Sequence, residues 1–168
     1  MRKFNKLAAV VAVSLNIAGF ASLSGAATST TTVAVSAIVI DSCTISSQAL
    51  SFGAYNGLSG GMVDVAAMMS PACTLGTAYA ISLDAGVGAT ATQTARQLTG
   101  LIGSTLSYGI YTDAARTSVW GNGTNGTVQI FGTGTGGTQP IVMYGRIPGE
   151  QTVTVGTYTD IVTVTLTY

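Results

Sequence analysis

Asp160-Ile-Val-Thr-Val-Thr-Leu-Thr-Tyr168 is the stretch that decides the fold. Val162, Val164, Leu166 and Tyr168 share one face of it, and Thr163, Thr165 and Thr167 share the other. A helix, turning once in about 3.6 residues, would scatter that pattern, whereas a period of two gives an antiparallel strand with one buried face. Working outward, similar runs occur at 33–41, 49–55, 77–84, 105–112, 117–120, 127–131, 139–147 and 151–155. Turn residues separate them: Asn56-Gly57, Gly86-Val-Gly88, Asn122-Gly123, Asn125-Gly126 and Pro148-Gly149. Short strands punctuated in this way predict an all-β sandwich. The Ala-rich stretch 63–69 suits a helical turn or a strand equally well.

Composition narrows the chemistry. The 168 residues carry six Lys+Arg against six Asp+Glu, no histidine and only 7% charged residues. So few cations offer no electrostatic footprint for nucleic acid or an anionic membrane. Without histidine, most zinc sites and the Ser-His-Asp and Cys-His nucleophiles are excluded. The six acids stand singly along the chain, not as the facing pair that glycoside hydrolysis needs. Asp113 and Asp160 are expected to cap turns or pair with arginines. Neither an enzyme nor a bound cofactor or metal is expected.

The first 26 residues read as an export signal. Arg2, Lys3 and Lys6 precede an apolar run from Leu7 to Leu23, and Ser24-Gly-Ala-Ala27 supplies small residues for cleavage. At roughly 17 residues, interrupted by Asn16 and Gly19, that run is short for a membrane span. No second apolar segment follows, so no membrane insertion is expected once the signal is removed. Three arginines and six acids then remain, a net charge of −3 without any lysine. Export places Cys43 and Cys73 in an oxidising compartment, where an even count predicts one disulfide.

Two local patterns have simpler explanations than chemistry. Gly132-Thr-Gly-Thr-Gly-Gly137 lacks the following helix and acid of a dinucleotide-binding loop, so a flexible hairpin loop is expected. Asn122-Gly-Thr124 and Asn125-Gly-Thr127 fit the N-glycosylation pattern, but the central glycines predict tight turns.

The run Thr28-Ser-Thr-Thr-Thr-Val-Ala-Val-Ser-Ala-Ile-Val-Ile40 is uncharged and rich in β-branched residues. Val33, Val35, Ala37 and Val39 alternate on one face, and Ala34, Ser36, Ile38 and Ile40 on the other. A free apolar strand at a chain end is an aggregation hazard, and no lysine, proline or internal charge protects this one. It suits a strand donated to a neighbour, with main-chain hydrogen bonds giving affinity and alternate side chains filling pockets.

Cys43-Thr-Ile45 with Leu50-Ser-Phe-Gly-Ala-Tyr55, then Leu106-Ser-Tyr-Gly-Ile-Tyr-Thr-Asp113 with Ala114-Ala-Arg116 and Trp120-Gly121, form an ordered set of motifs. Met143-Tyr-Gly-Arg-Ile147, Gly156-Thr-Tyr-Thr-Asp160 and Val162-Thr-Val-Thr-Leu166 complete it. Over about residues 30–168 the chain resembles the spore coat protein U domain family, which includes subunits of archaic (Csu-type) chaperone–usher pili. That resemblance implies an incomplete immunoglobulin-like β-sandwich completed by donor-strand exchange. It implies a periodic handover: a periplasmic chaperone fills the groove, then at the outer-membrane usher the next subunit's N-terminal strand replaces it. By position, residues 27–40 would be the donor strand and 41–168 the sandwich domain. Val33, Val35, Ala37 and Val39 would insert, and Val162, Val164, Leu166 and Tyr168 would contribute the acceptor groove. Cys43–Cys73 would match the family's disulfide. Partners would be copies of the chain or sister pilins, and the destination a fibre at the cell surface serving adhesion and biofilm formation.

Two other functions remain open on the residues. A tip adhesin would bind a surface through its own loops, where Trp120, Phe131 and the glycine tract lie, but such subunits carry an additional N-terminal domain. A non-polymerising spore-coat or matrix protein, or a carbohydrate-binding sandwich, would use the same fold.

Overall fold

The computed structural model describes residues 25–58 and 60–168. The export signal expected over residues 1–26 lies almost wholly outside them. The chain divides into two units, Met1–Ala37 and Ile38–Tyr168. The described part of the first has no helix or strand, and its side chains are exposed. The second is all-β apart from one short 3-10 turn, Leu101–Gly103.

The described residues form eight strands, most of which alternate between more and less buried positions. They are β1 (Cys43–Ser47), β2 (Val63–Cys73), β3 (Ala78–Leu83), β4 (Arg96–Thr99), β5 (Thr105–Tyr111), β6 (Ile130–Thr133), β7 (Ile141–Ile147) and β8 (Val164–Thr167). One sheet has the order β1-β2-β7-β5-β4 and the other β6-β3-β8. Every pairing between these strands is antiparallel. Alternate side chains supply the core: Ala67 and Met69 from β2, Tyr79, Ile81 and Leu83 from β3, Leu106, Tyr108 and Ile110 from β5, Met143 and Ile147 from β7. The disulfide joins β1 to β2 where Cys43 stands directly opposite Cys73.

Trp120 is fully buried, and its indole N–H donates to the Ile81 carbonyl at 3.1 Å. Beside it lies a buried cation, Arg96, whose guanidinium meets main-chain oxygens. Its Nε and Nη2 donate to the Asp84 carbonyl at 3.0 and 2.7 Å, Nη1 to Gln93 at 2.9 Å, and Nη2 also to Trp120 at 2.8 Å. A buried donor set is tolerable only when matched in this way. Burial still pulls the Arg96 pKa down.

Several expected elements come out differently. The open choice over 63–69 resolves to strand, because β2 finds a partner on each side, β1 and β7. Residues 33–41, 49–55, 117–120 and 151–155 form no strand; Val119 and Trp120 make only isolated bridges, to Tyr111 and Val128. Each has a strand-like pattern but lacks a continuous neighbour to complete a ladder. Conversely β1 and β4 carry weak patterns of their own and exist because β2 and β5 recruit them. The glycine tract is not a free hairpin. It crosses from β6 to β7, which lie in different sheets, and is tied to the turn after β2 by Gly134 N to Thr77 O (2.7 Å) and Gly136 N to Cys73 O (3.1 Å).

Candidate functional site

β8 lies at the edge of the smaller sheet, paired with β3 on one side only. Its alternation is the one read from the sequence: Val162, Val164 and Leu166 are half-buried against the core, while Thr163, Thr165 and Thr167 are exposed. Tyr168 follows the end of the strand and stays 59% exposed, so it adds less to the floor than the three aliphatic residues. The Thr163 carbonyl accepts from Asp84 N at 3.1 Å, which points the main-chain groups of Thr163 toward β3. By the alternation of an antiparallel ladder, those of Val162, Val164 and Leu166 point the other way, to the free edge. The same three residues therefore offer both apolar side chains and unpaired strand backbone.

The segment leading into β8 is fixed by two carboxylates. Asp84 Oδ1 accepts from Thr163 N and Gly86 N, each at 2.9 Å. Asp160 Oδ1 accepts from Val87 N and Ile161 N at 2.8 Å, and Oδ2 accepts from the Tyr108 hydroxyl at 2.6 Å. Burial pushes the Asp84 carboxyl up, but the hydrogen bonds from Thr163 and Gly86 outweigh it and hold the group below its ordinary range. Tyr108 is driven far above the ordinary tyrosine range by burial and by Asp160, so it remains a neutral donor.

Adjoining this segment is a cleft of about 980 Å³ whose walls include the apolar and aromatic residues Leu50, Phe52, Tyr55, Val153 and Tyr158. Its walls are the expected strands 49–55 and 151–155, extended and alternately half-buried yet unpaired as strands. Phe52 meets Tyr108 edge-on, with ring centroids 5.7 Å apart. Leu50 and Phe52 come so close to β7 that a Cβ on Gly145 would sit 2.8 Å from Leu50 Cδ2. On the other wall, the Gln151 amide replaces a strand: Oε1 accepts from Ser107 N at 2.8 Å and Nε2 donates to Ser107 O at 2.9 Å. The five wall residues were not among the groove residues expected from sequence. Their signal was the alternation of Leu50-Ser-Phe and Gln151-Thr-Val, which marks an apolar face without saying what covers it.

The residues expected to insert are open to solvent: Val33 is 82% exposed, Val35 90% and Val39 88%. On the opposite face Ile38 and Ile40 are exposed as well.

Asp160 is the charged residue among those lining the cleft, and two of the cations are engaged elsewhere. Arg146 grips Asp64 with two hydrogen bonds, at 2.7 and 2.8 Å, and Arg116 stands 3.2 Å from the same carboxylate. The Arg146 hydrogen bond holds Asp64 below the usual carboxylate range. Asp113 caps the following turn, accepting from Ser118 N at 2.7 Å and from Thr117 N at 3.1 Å. Asn122 Oδ1 accepts from Thr124 N at 3.1 Å, so the first Asn-Gly-Thr sequence is a side-chain-capped turn. Among the described residues, no group of three or more His, Cys, Asp or Glu could hold a metal ion, and no helix is long and apolar enough to cross a membrane.

Two antiparallel sheets, a core tryptophan and a cleft running up to a free C-terminal strand edge define an immunoglobulin-like sandwich. The chain belongs to the Spore Coat Protein U domain family, whose model matches residues 29–165. It is 34% identical over 157 residues to Protein U of Myxococcus xanthus, covering 85% of this chain and 87% of that protein. The fold is also similar to a chain in the crystal structure of the CsuC–CsuE chaperone–tip adhesion subunit pre-assembly complex from the archaic chaperone–usher Csu pili of Acinetobacter baumannii. That match has a TM-score of 0.58 at 22% identity and covers 77% of this chain but 40% of the other. The chain thus spans about two fifths of the solved chain it matches.

Proposed function

We propose that this protein is a structural subunit of a chaperone–usher surface fibre. Residues 27–40 of one copy insert beside β8 of the next, with Val33, Val35, Ala37 and Val39 facing the floor made by Val162, Val164 and Leu166. The observation that carries this reading is the combination of an exposed, uncharged, alternating segment with a sandwich whose last strand is an unpaired edge over half-buried aliphatic residues. Lengths agree: residues 28–40 extend over roughly 43 Å at about 3.3 Å per residue, against roughly 30 Å for residues 160–168. The segment is therefore long enough to cover the whole edge. Burying Val33, Val35 and Val39 contributes about 1.5–3 kcal/mol each, before the cost of association. Insertion is head-to-tail and does not close on itself, so repetition makes a filament. A periplasmic chaperone would fill the edge beforehand and an outer-membrane usher would exchange it, as the fold shared with the Csu subunit supports. The fibre would stand on the cell surface and serve adhesion.

Deleting residues 27–40 tests the reading. The truncated subunit is expected to fold with its chaperone yet yield no SDS-resistant multimers before boiling. Multimers formed without that segment would refute strand donation. A second reading, a secreted coat protein that does not polymerise through this edge, is favoured by the family description. Under it the full-length chain would form no such multimers either, even beside a chaperone and usher.

A further inference from the structure

Resting on strand insertion, a further question is what stops the inserted strand in one register. Its own pattern does so weakly. Both faces of residues 33–40 are apolar or small, Val33, Val35, Ala37 and Val39 against Ala34, Ser36, Ile38 and Ile40. A slip of one residue exchanges two usable faces, and a slip of two restores the same face. The register must therefore be set at an end. The donor run ends in a charge, Asp41, whose Oδ1 accepts from Thr77 Oγ1 of its own sandwich at 2.8 Å. A strand added at β8 in the antiparallel sense of the pairings already in this sheet would bring its residue-40 end to the start of β8.

That start is polar and anionic. The β3–β8 ladder gives out at Thr163, whose N–H bonds the Asp84 side chain at 2.9 Å. Behind it, Asp160 is locked by Val87 N, Ile161 N and the Tyr108 hydroxyl. A Cβ on Gly86 would collide with the Asp160 carboxylate, so the loop closes tightly over it. Among the described residues the cation beneath, Arg96, spends its hydrogen bonds on main-chain carbonyls, and two carboxylates to one guanidinium leave the end net negative. We propose that Asp84 and Asp160, held by Tyr108 and the 86–87 loop, form an end-stop that sets the donor register by repelling the incoming strand's Asp41. Like charges placed together in a partly desolvated contact penalise deeper insertion. Asp84, Asp160 and Tyr108 are positioning residues for assembly.

The test places a photoreactive benzoylphenylalanine at Ser36 in the full chain and maps inter-subunit crosslinks in its polymers by mass spectrometry. With native carboxylates the crosslinks should fall on one acceptor residue of β8. Asp160→Asn in the acceptor, and separately Asp41→Asn in the donor, should each move a large share of them by two residues, the period of the strand. Asp41→Asn leaves the acceptor intact and decides the matter if Asp160→Asn folds poorly. Crosslinks that stay on one residue in Asp41→Asn overturn the end-stop while leaving strand insertion standing. Absence of inter-subunit crosslinks with native carboxylates overturns strand insertion itself, and the end-stop with it.

Discussion

Arg96→Met removes the buried guanidinium while keeping an unbranched apolar chain of similar reach. Arg96 is fully buried, and three main-chain carbonyls depend on it, those of Asp84, Gln93 and Trp120. A buried acceptor left without its partner costs about 1–3 kcal/mol; the Trp120 carbonyl bears that in full and the part-buried Asp84 and Gln93 carbonyls less, so the three together give roughly 3–6 kcal/mol. Against that stands relief from holding a desolvated charge, which is the main reason the Arg96 pKa is lowered. The expected net loss is about 3–5 kcal/mol, on the order of 10–15 °C in melting temperature for a domain of this size. The assay is denaturant unfolding of purified residues 27–168, followed by fluorescence of Trp120, which is itself fully buried. Arg96→Lys should fall between the parent and Arg96→Met, because an ammonium donates to carbonyls but cannot span them as a planar fork. An Arg96→Met protein within about 1 kcal/mol of the parent would refute the claim that this cation ties β4 to the turns after β3 and at Trp120.

Val164→Asp puts a charge on the half-buried floor of β8 and should abolish both chaperone co-purification and multimer formation; normal yields of either would count against this edge as the acceptor. Replacing Cys43 and Cys73 by serine opens a loop with a sequence separation of 30 and should cost about 3–4 kcal/mol in the chain-entropy model, read as a lower denaturation midpoint. Stability should also depend on acid. Asp64, Asp84 and Asp113 are held below the ordinary carboxylate range, so their contribution is present in full above about pH 4 and is lost as pH falls through their depressed values. Melting temperature is therefore expected to be flat from about pH 6 to 4 and to drop below that, with a shallower drop in Asp84→Asn. An unchanged slope in Asp84→Asn would show that its hydrogen bonds to Thr163 and Gly86 contribute nothing to folding.

Local periodicity carried the reading where a strand has both a buried face and neighbours to bond. The alternation of Val162, Val164 and Leu166 was legible because side chains two apart must share a face, whatever lies beyond them. β3, β5 and β7 were placed for the same reason, whereas the pairing of the two cysteines rested on their even count and not on periodicity. What the sequence left open is non-local. Residues 49–55 and 151–155 alternate as clearly as β8 begins to, yet they line a cleft instead of forming strands, because a ladder needs a second backbone alongside. β4 reads poorly by itself since its first residue is an arginine; only the folded chain shows that residue buried among carbonyls brought together from Asp84, Gln93 and Trp120. The two carboxylates at the start of β8 are likewise 76 residues apart by number, Asp84 and Asp160. Sequence alone determined which residues turn toward an apolar partner, because that is set by a period of two. Tertiary structure decided which edge is left unpaired and which charges stand at its end, because hydrogen-bond partners and neighbouring charges come from distant parts of the chain.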